Sequence, residues 1–108
     1  MNKNGTVKIS NFIIIKIAGL AALDIEGVHE VVGFNEDSFS YTKQSADNKG
    51  IKMEIIDNKI YLELTLLIDV NHNIPKVAKD VQEAIIDQVR TMTGLEVVEV
   101  NLIINGIV

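Results

Sequence analysis

Two histidines, His29 and His72, are the natural candidates for a general base in this chain. A base needs a nucleophile or a second acid within reach. His29 follows Gly27-Val28 between acidic neighbours, Glu26 and Glu30, which reads as a solvated turn. His72 stands between Asn71 and Asn73, three residues after Asp69, so an enzyme reading would rest on His72 with Asp69. No serine occupies a G-x-S-x-G elbow and there is no cysteine, so neither base has an evident nucleophile to activate. The run Asp69-Val70-Asn71-His72-Asn73 matches the D-x-N-x-N opening of a calcium loop. Such a loop needs glycine at its sixth position and a bidentate glutamate at its twelfth. Here those positions hold Ile74 and Asp80, so a strand-to-helix turn rich in asparagine explains the run better. The glycines are scattered and form neither a P-loop nor G-x-G-x-x-G, and no G-x-x-G stands in a basic loop. No catalytic, cofactor-binding or metal-ligating residue is expected, and no cofactor.

The elements that would position those residues fit in one domain over residues 1–108. Fifteen acids against ten bases give a net charge of −5, which argues against a phosphate-binding face and hence against nucleic acid. Without cysteine, disulfides and thiolate metal centres are excluded. The apolar run Phe12 to Ile25 is interrupted by Lys16 and Gly19. It falls short of the roughly 20 apolar residues that a spanning helix requires. It also lacks the basic polar face of an interfacial helix. A cytoplasmic protein that does not itself insert into membrane is expected.

A short strand at Thr6 to Ile9 is expected first, then a helix capped by Ser10 or Asn11 and running to about Ile25. Eleven of the 14 residues from Phe12 are apolar, more than one stripe requires, so the helix must be covered on most sides by its own sheet or by another chain. Residues 33–50 form a long polar stretch, a length that marks it as functional or mobile. It carries Phe34, Phe39 and Tyr41, three of the five aromatics, which either pin the loop to its own domain or form a partner-docking surface. A hairpin follows: Ile51, Met53 and Ile55 alternate, Asp57-Asn58-Lys59 turns, and Ile60 to Val70 alternates with period 2. A second helix starts near Pro75 with Ile74, Val77, Ala78, Val81, Ile85, Val89 and Met92 at helical spacing, and Gly94 ends it. The last strand runs from Glu96 to about Asn105, with Val98, Val100, Leu102 and Ile104 toward the core. Leu67, Val97 and Ile103 then fall on the outer side. The order β-α-(loop)-β-β-α-β predicts an α+β two-layer sandwich, two helices on one face of a small mixed sheet. A ferredoxin-like arrangement satisfies it, and a KH-like one would show the same pattern.

Three blocks carry a resemblance. The first is Ile9-Ser10 through Ile17-Ala18, Ala21-Ala22 and Glu26-Gly27-Val28. The second is the strand ending near Val70 with Asn73-Ile74-Pro75, Val77-Ala78, Val81-Gln82 and Val89. The third is Met92 to Val97, Val100-Asn101 and Ile104-Asn105-Gly106. Together they resemble the alkaline shock protein 23 / Gls general stress protein family (YloU-like) of Gram-positive bacteria. The resemblance implies a non-enzymatic protein of the envelope stress response. It would act as an oligomerising scaffold or adaptor, peripheral to the membrane through a membrane-anchored protein partner. The alternative it implies is a regulatory protein that binds an enzyme of fatty-acid or phospholipid synthesis. It brings no catalytic residues.

Overall fold

The structure is a computed structural model that describes residues 4–34 and 50–108. Ser10 opens the first helix, α1 (Asn11–Leu23), by accepting a hydrogen bond from the Phe12 amide at 3.0 Å. Ile14, Ala18 and Ala22 along one face of α1 are fully buried. Lys16 and Ile13 turn outward. The chain then forms β1 (Val28–Val31), β2 (Ile51–Ile56), β3 (Lys59–Ile68), α2 (Ile74–Thr93) and β4 (Glu96–Ile107).

β3 is the centre of the sheet. Its Ile60, Leu62, Leu64, Leu66 and Ile68 are all buried under the helices, while Tyr61, Glu63, Thr65 and Leu67 alternate onto the half-exposed opposite face. β4 runs parallel to β3 along its whole length on one side. On the other side, β2 and β1 lie end to end, both antiparallel to β3. They meet at Thr65, whose carbonyl accepts from the Val32 amide at 2.8 Å and whose amide donates to the Gly50 carbonyl at 3.0 Å. This edge is therefore one strand interrupted between Val32 and Gly50. Both helices pack on one face and against each other, α1 over β1 and β2 and α2 over β4. The mixed sheet under two helices is the expected two-layer α+β class.

Three local expectations are corrected. Thr6 to Ile9 is not a strand: Val7 is 84% exposed and no strand among the described residues offers it a ladder. The strand next to α1 comes after it instead, at Val28–Val31, so the order is α-β-β-β-α-β. In β4 the register against β3 shifts between Ile60 and Tyr61, so Val97 enters the core (5% exposed) and Val98 turns out (39%). Such a bulge breaks strict alternation. The third concerns α2, where Val77, Val81, Ile85 and Val89 are buried at i, i+4 spacing but Met92 is 64% exposed.

Gly94 closes α2 in the left-handed conformation, φ +76°, with its amide on the Arg90 carbonyl. In the β2–β3 turn both central residues have positive φ, Asp57 at 52° and Asn58 at 64°. That is a type I′ turn, for which Gly is the preferred second residue. Asn58→Gly should stabilise the protein by a few tenths to about 1 kcal/mol in urea unfolding, and Asn58→Val should destabilise it.

Candidate functional site

The groups suited to chemistry gather at one end of the sheet, where the α1–β1 and β3–α2 connections cross. Gly27 has φ +103°, and its carbonyl accepts from the Asp69 amide at 2.8 Å. A Cβ on Gly27 would stand 2.7 Å from Val77 and 3.1 Å from the His72 ring, so only glycine lets the two connections close on each other. His29 is placed in β1 and not on a turn. Its Nδ1 lies 2.9 Å from the Asp69 carboxylate, both side chains about half exposed. His72 reaches the Val70 carbonyl at 3.4 Å and Glu26 at 3.7 Å.

Asp69 therefore pairs with His29 and not with His72. The remaining polar residues of that run are used locally. Asn71 takes a left-handed turn, φ 72°, and Asn73 caps α2 by accepting from the Lys76 amide at 2.9 Å. Lys76 in turn donates to Asp80 one helical turn on, at 2.8 Å. That hydrogen bond and the Asp80 charge, with a further push from Glu26, hold Lys76 above the ordinary lysine value of 10.5. The pair is exposed, so its support for α2 is modest and salt-screened. It is present below pH 10.5 and fades as pH rises through the raised value. Among the described residues no three His, Asp or Glu side chains converge as a metal site.

Two concavities lie elsewhere. A groove of about 550 Å³ runs between α1 and α2, floored by Ile17, Leu20, Ala21 and Ala84 and rimmed by Leu23, Ile25 and Met92. Gln88 and Asp24 are its polar side chains. A shallower cleft of about 360 Å³ crosses the open sheet face around Tyr61, between Lys52, Glu54, Glu63 and Asn101. There Lys52 faces Glu63 at 3.8 Å and Asn101 donates to Glu99 at 2.7 Å. Neither histidine lines either space. Among the described residues no helix is long and apolar enough to cross a membrane.

Of the three loop aromatics, Phe34 is 7% exposed, stacked onto α1 at Gly19. It pins the chain to its own domain. Phe39 and Tyr41 lie outside the described residues. Of the apolar residues expected on the outer side, Ile103 is 45% exposed, Leu67 is half-buried and Val97 is in the core. The His29–Asp69 contact joins residues forty positions apart, and no local pattern signals it. The helix–helix groove did leave a signal, the excess of apolar residues on α1.

Comparison with known proteins adds what geometry alone does not. The YqhY protein of Bacillus subtilis (strain 168) is 35% identical over 104 residues, covering 95% of this chain and 77% of its own. A protein named stress response regulator gls24 homolog, from Streptococcus pyogenes, is 24% identical over 103 residues. That match covers 91% of this chain but 56% of the regulator, so this chain spans little more than half of it. Among solved structures, a variant of the MamM CTD superposes with a TM-score of 0.64 at 11% identity, covering 90% of this chain and 98% of that one. At that identity the likeness shows the fold, ferredoxin-like, and nothing of function. The model of the alkaline shock protein 23 family, described by its cell envelope-related function, matches residues 1–108, and the chain belongs to that family.

Proposed function

We propose that this chain is a non-enzymatic adaptor of the cell-envelope stress response, a single domain that self-associates and docks on a membrane-anchored protein from the cytoplasmic side. The observation that supports it most is a contrast. His29, Asp69 and His72 are engaged in joining two connections and line neither of the two described concavities, of which the larger is an apolar groove rimmed by the exposed Met92. Acid–base chemistry needs a convergent polar site, whereas docking needs an apolar trough with an adaptable rim. Phe39 and Tyr41 are assigned as further docking residues, with Phe34 already occupied in the core.

The test is isolation of the tagged full chain in mild detergent from the cell that produces it, with quantitative mass spectrometry. A membrane protein in near-stoichiometric amount is expected. Met92→Glu and the pair Phe39→Ala with Tyr41→Ala should each deplete it, and His72→Ala should leave it unchanged. Recovery of a soluble enzyme of lipid synthesis in its place would overturn the adaptor reading in favour of a regulatory one. Loss of the stress phenotype in His72→Ala with the partner still bound would revive an enzyme.

A further inference from the structure

The two edges of the sheet differ. The edge formed by β1 and β2 is broken into segments of 4 and 6 residues and carries a bulge between Val28 and Glu30. The β4 edge is a 12-residue strand whose register against β3 shifts between Ile60 and Tyr61 and again between Leu66 and Leu67, leaving a regular run over residues 99–104, and it is paired on one side only among the described residues. Strands with one unpaired side are commonly blunted by lysine or proline, and β4 contains neither.

The direction of its free backbone groups follows from the ladder. Thr65 gives both its amide and its carbonyl to the β1/β2 side, so by alternation Leu64 and Leu66 turn theirs toward β4. The Ile68 carbonyl, of the same parity, accepts from Val108 at 2.9 Å, as this alternation requires. In a parallel pair, the residue opposite an inward-turned one points away. Val100, Leu102 and Ile104, which lie opposite Leu62, Leu64 and Leu66, therefore direct their N–H and C=O outward. Gln82 of α2 donates to the Val100 carbonyl at 3.0 Å, in agreement, and so already takes one acceptor position at that end of the run. No described hydrogen bond covers Leu102 or Ile104 on that side.

We propose that this edge pairs with the same edge of a second copy, antiparallel and centred on Leu102, so that the two sheets become continuous. The proposal rests on the self-association half of the functional reading and gives it a surface. Only a residue-centred register brings outward-pointing groups of both strands together. Centring on Leu102 sets it opposite the partner's Leu102, with Val100 opposite the partner's Ile104 and Asn101 opposite the partner's Ile103. The charges fit this direction. Glu96 and Glu99 lie at the start of β4 and no charged residue follows them in the strand. Antiparallel pairing carries the two Glu99 residues about 20 Å apart, whereas parallel pairing would stack them. The exposed Ile103 (45%) would lose solvent against the partner's Asn101.

The chain has no cysteine, so single-cysteine reporters are clean. Asn101 and Ile103 are both exposed, so replacing either should leave the fold intact, checked by circular dichroism. In this register the partners Asn101 and Ile103 form a non-hydrogen-bonded pair with Cα atoms about 4.5 Å apart, within disulfide reach. A mixture of Asn101→Cys and Ile103→Cys chains should therefore oxidise mainly to the heterodimer, with either chain alone crosslinking far less. In sedimentation, Asn101→Lys with Ile103→Lys should weaken the dimer about tenfold or more, and Asn101→Glu with Ile103→Lys should keep it. Self-association that ignores these charge changes and gives no preferred heterodimer would overturn the β4 pairing but leave self-association standing. A wild-type chain that stays monomeric at high micromolar concentration would overturn both.

Discussion

Replacing Gly19 by valine will destabilise the protein by about 1–3 kcal/mol, and part of that loss will be absent when the Phe34 ring is also removed. On helix propensity alone the sign should be opposite, since glycine inside a helix costs up to about 1 kcal/mol relative to alanine. The environment reverses it. A Cβ built on Gly19 would lie 2.6 Å from Cε1 and Cζ of Phe34 and 2.7 Å from Cε2, so the ring lies against the helix backbone where a side chain would begin. Phe34 is 7% exposed and has little room to withdraw. Phe34→Ala alone should cost about 3–5 kcal/mol by emptying that space. In the double variant the valine moves into the volume the ring vacated, so the combined loss should fall short of the sum by about 1 kcal/mol or more in urea unfolding. Simple additivity would mean that the ring does not rest on Gly19. The contact matters because it holds the turn after β1 down onto α1.

How much of this was legible depends on the range of the determining contact. β3 could be read because its buried and half-exposed residues alternate without interruption from Ile60 to Ile68. α2 could be read because Asn73, Pro75 and Gly94 mark its ends locally. β1 could not: Val28-His29-Glu30-Val31 has two polar residues between two valines and a bulge, which removes the period-2 signal. The segment Thr6 to Ile9 has that signal and lacks a neighbour. For Phe34 the sequence leaves an anchor and a docking aromatic both open, because nothing in its own stretch shows Gly19 beneath it. The site was legible only in part. The polar run Asp69 to Asn73 reads locally as a turn, but nothing in it marks β1 as its neighbour, so the pairing of Asp69 with His29 is not legible there. The helix–helix groove showed only as an excess of apolar residues on α1, which stated a need for cover without saying where. Function entered through the family resemblance, which the match over residues 1–108 shows. The physical pattern alone reached no further than a single two-layer α+β domain.

Val97→Asp should come close to unfolding the protein, and Val98→Asp, one residue on, should not. Strict alternation through Val98, Val100, Leu102 and Ile104 predicts the reverse. The register shift at the start of β4 decides between them, because it puts Val97 at 5% exposure and Val98 at 39%. A carboxylate at position 97 would be buried beside the β3 side chain of Ile60, which is fully buried, with no buried cation among the described residues to pair with it. An uncompensated buried charge costs about 3–5 kcal/mol, against the roughly 5–15 kcal/mol that holds a domain together. At position 98 the carboxylate reaches water, and the loss is limited to β-propensity and partial packing, about 1 kcal/mol. The two variants carry the same charge in the same strand, so net charge and solubility cancel in the comparison. A gap of about 2 kcal/mol or more in the expected direction, measured by urea unfolding, establishes the bulge. If Val98→Asp proved the more damaging, β4 would alternate uniformly from Val98 onward. The regular run on its free edge would then begin before Glu99 instead of after the shift.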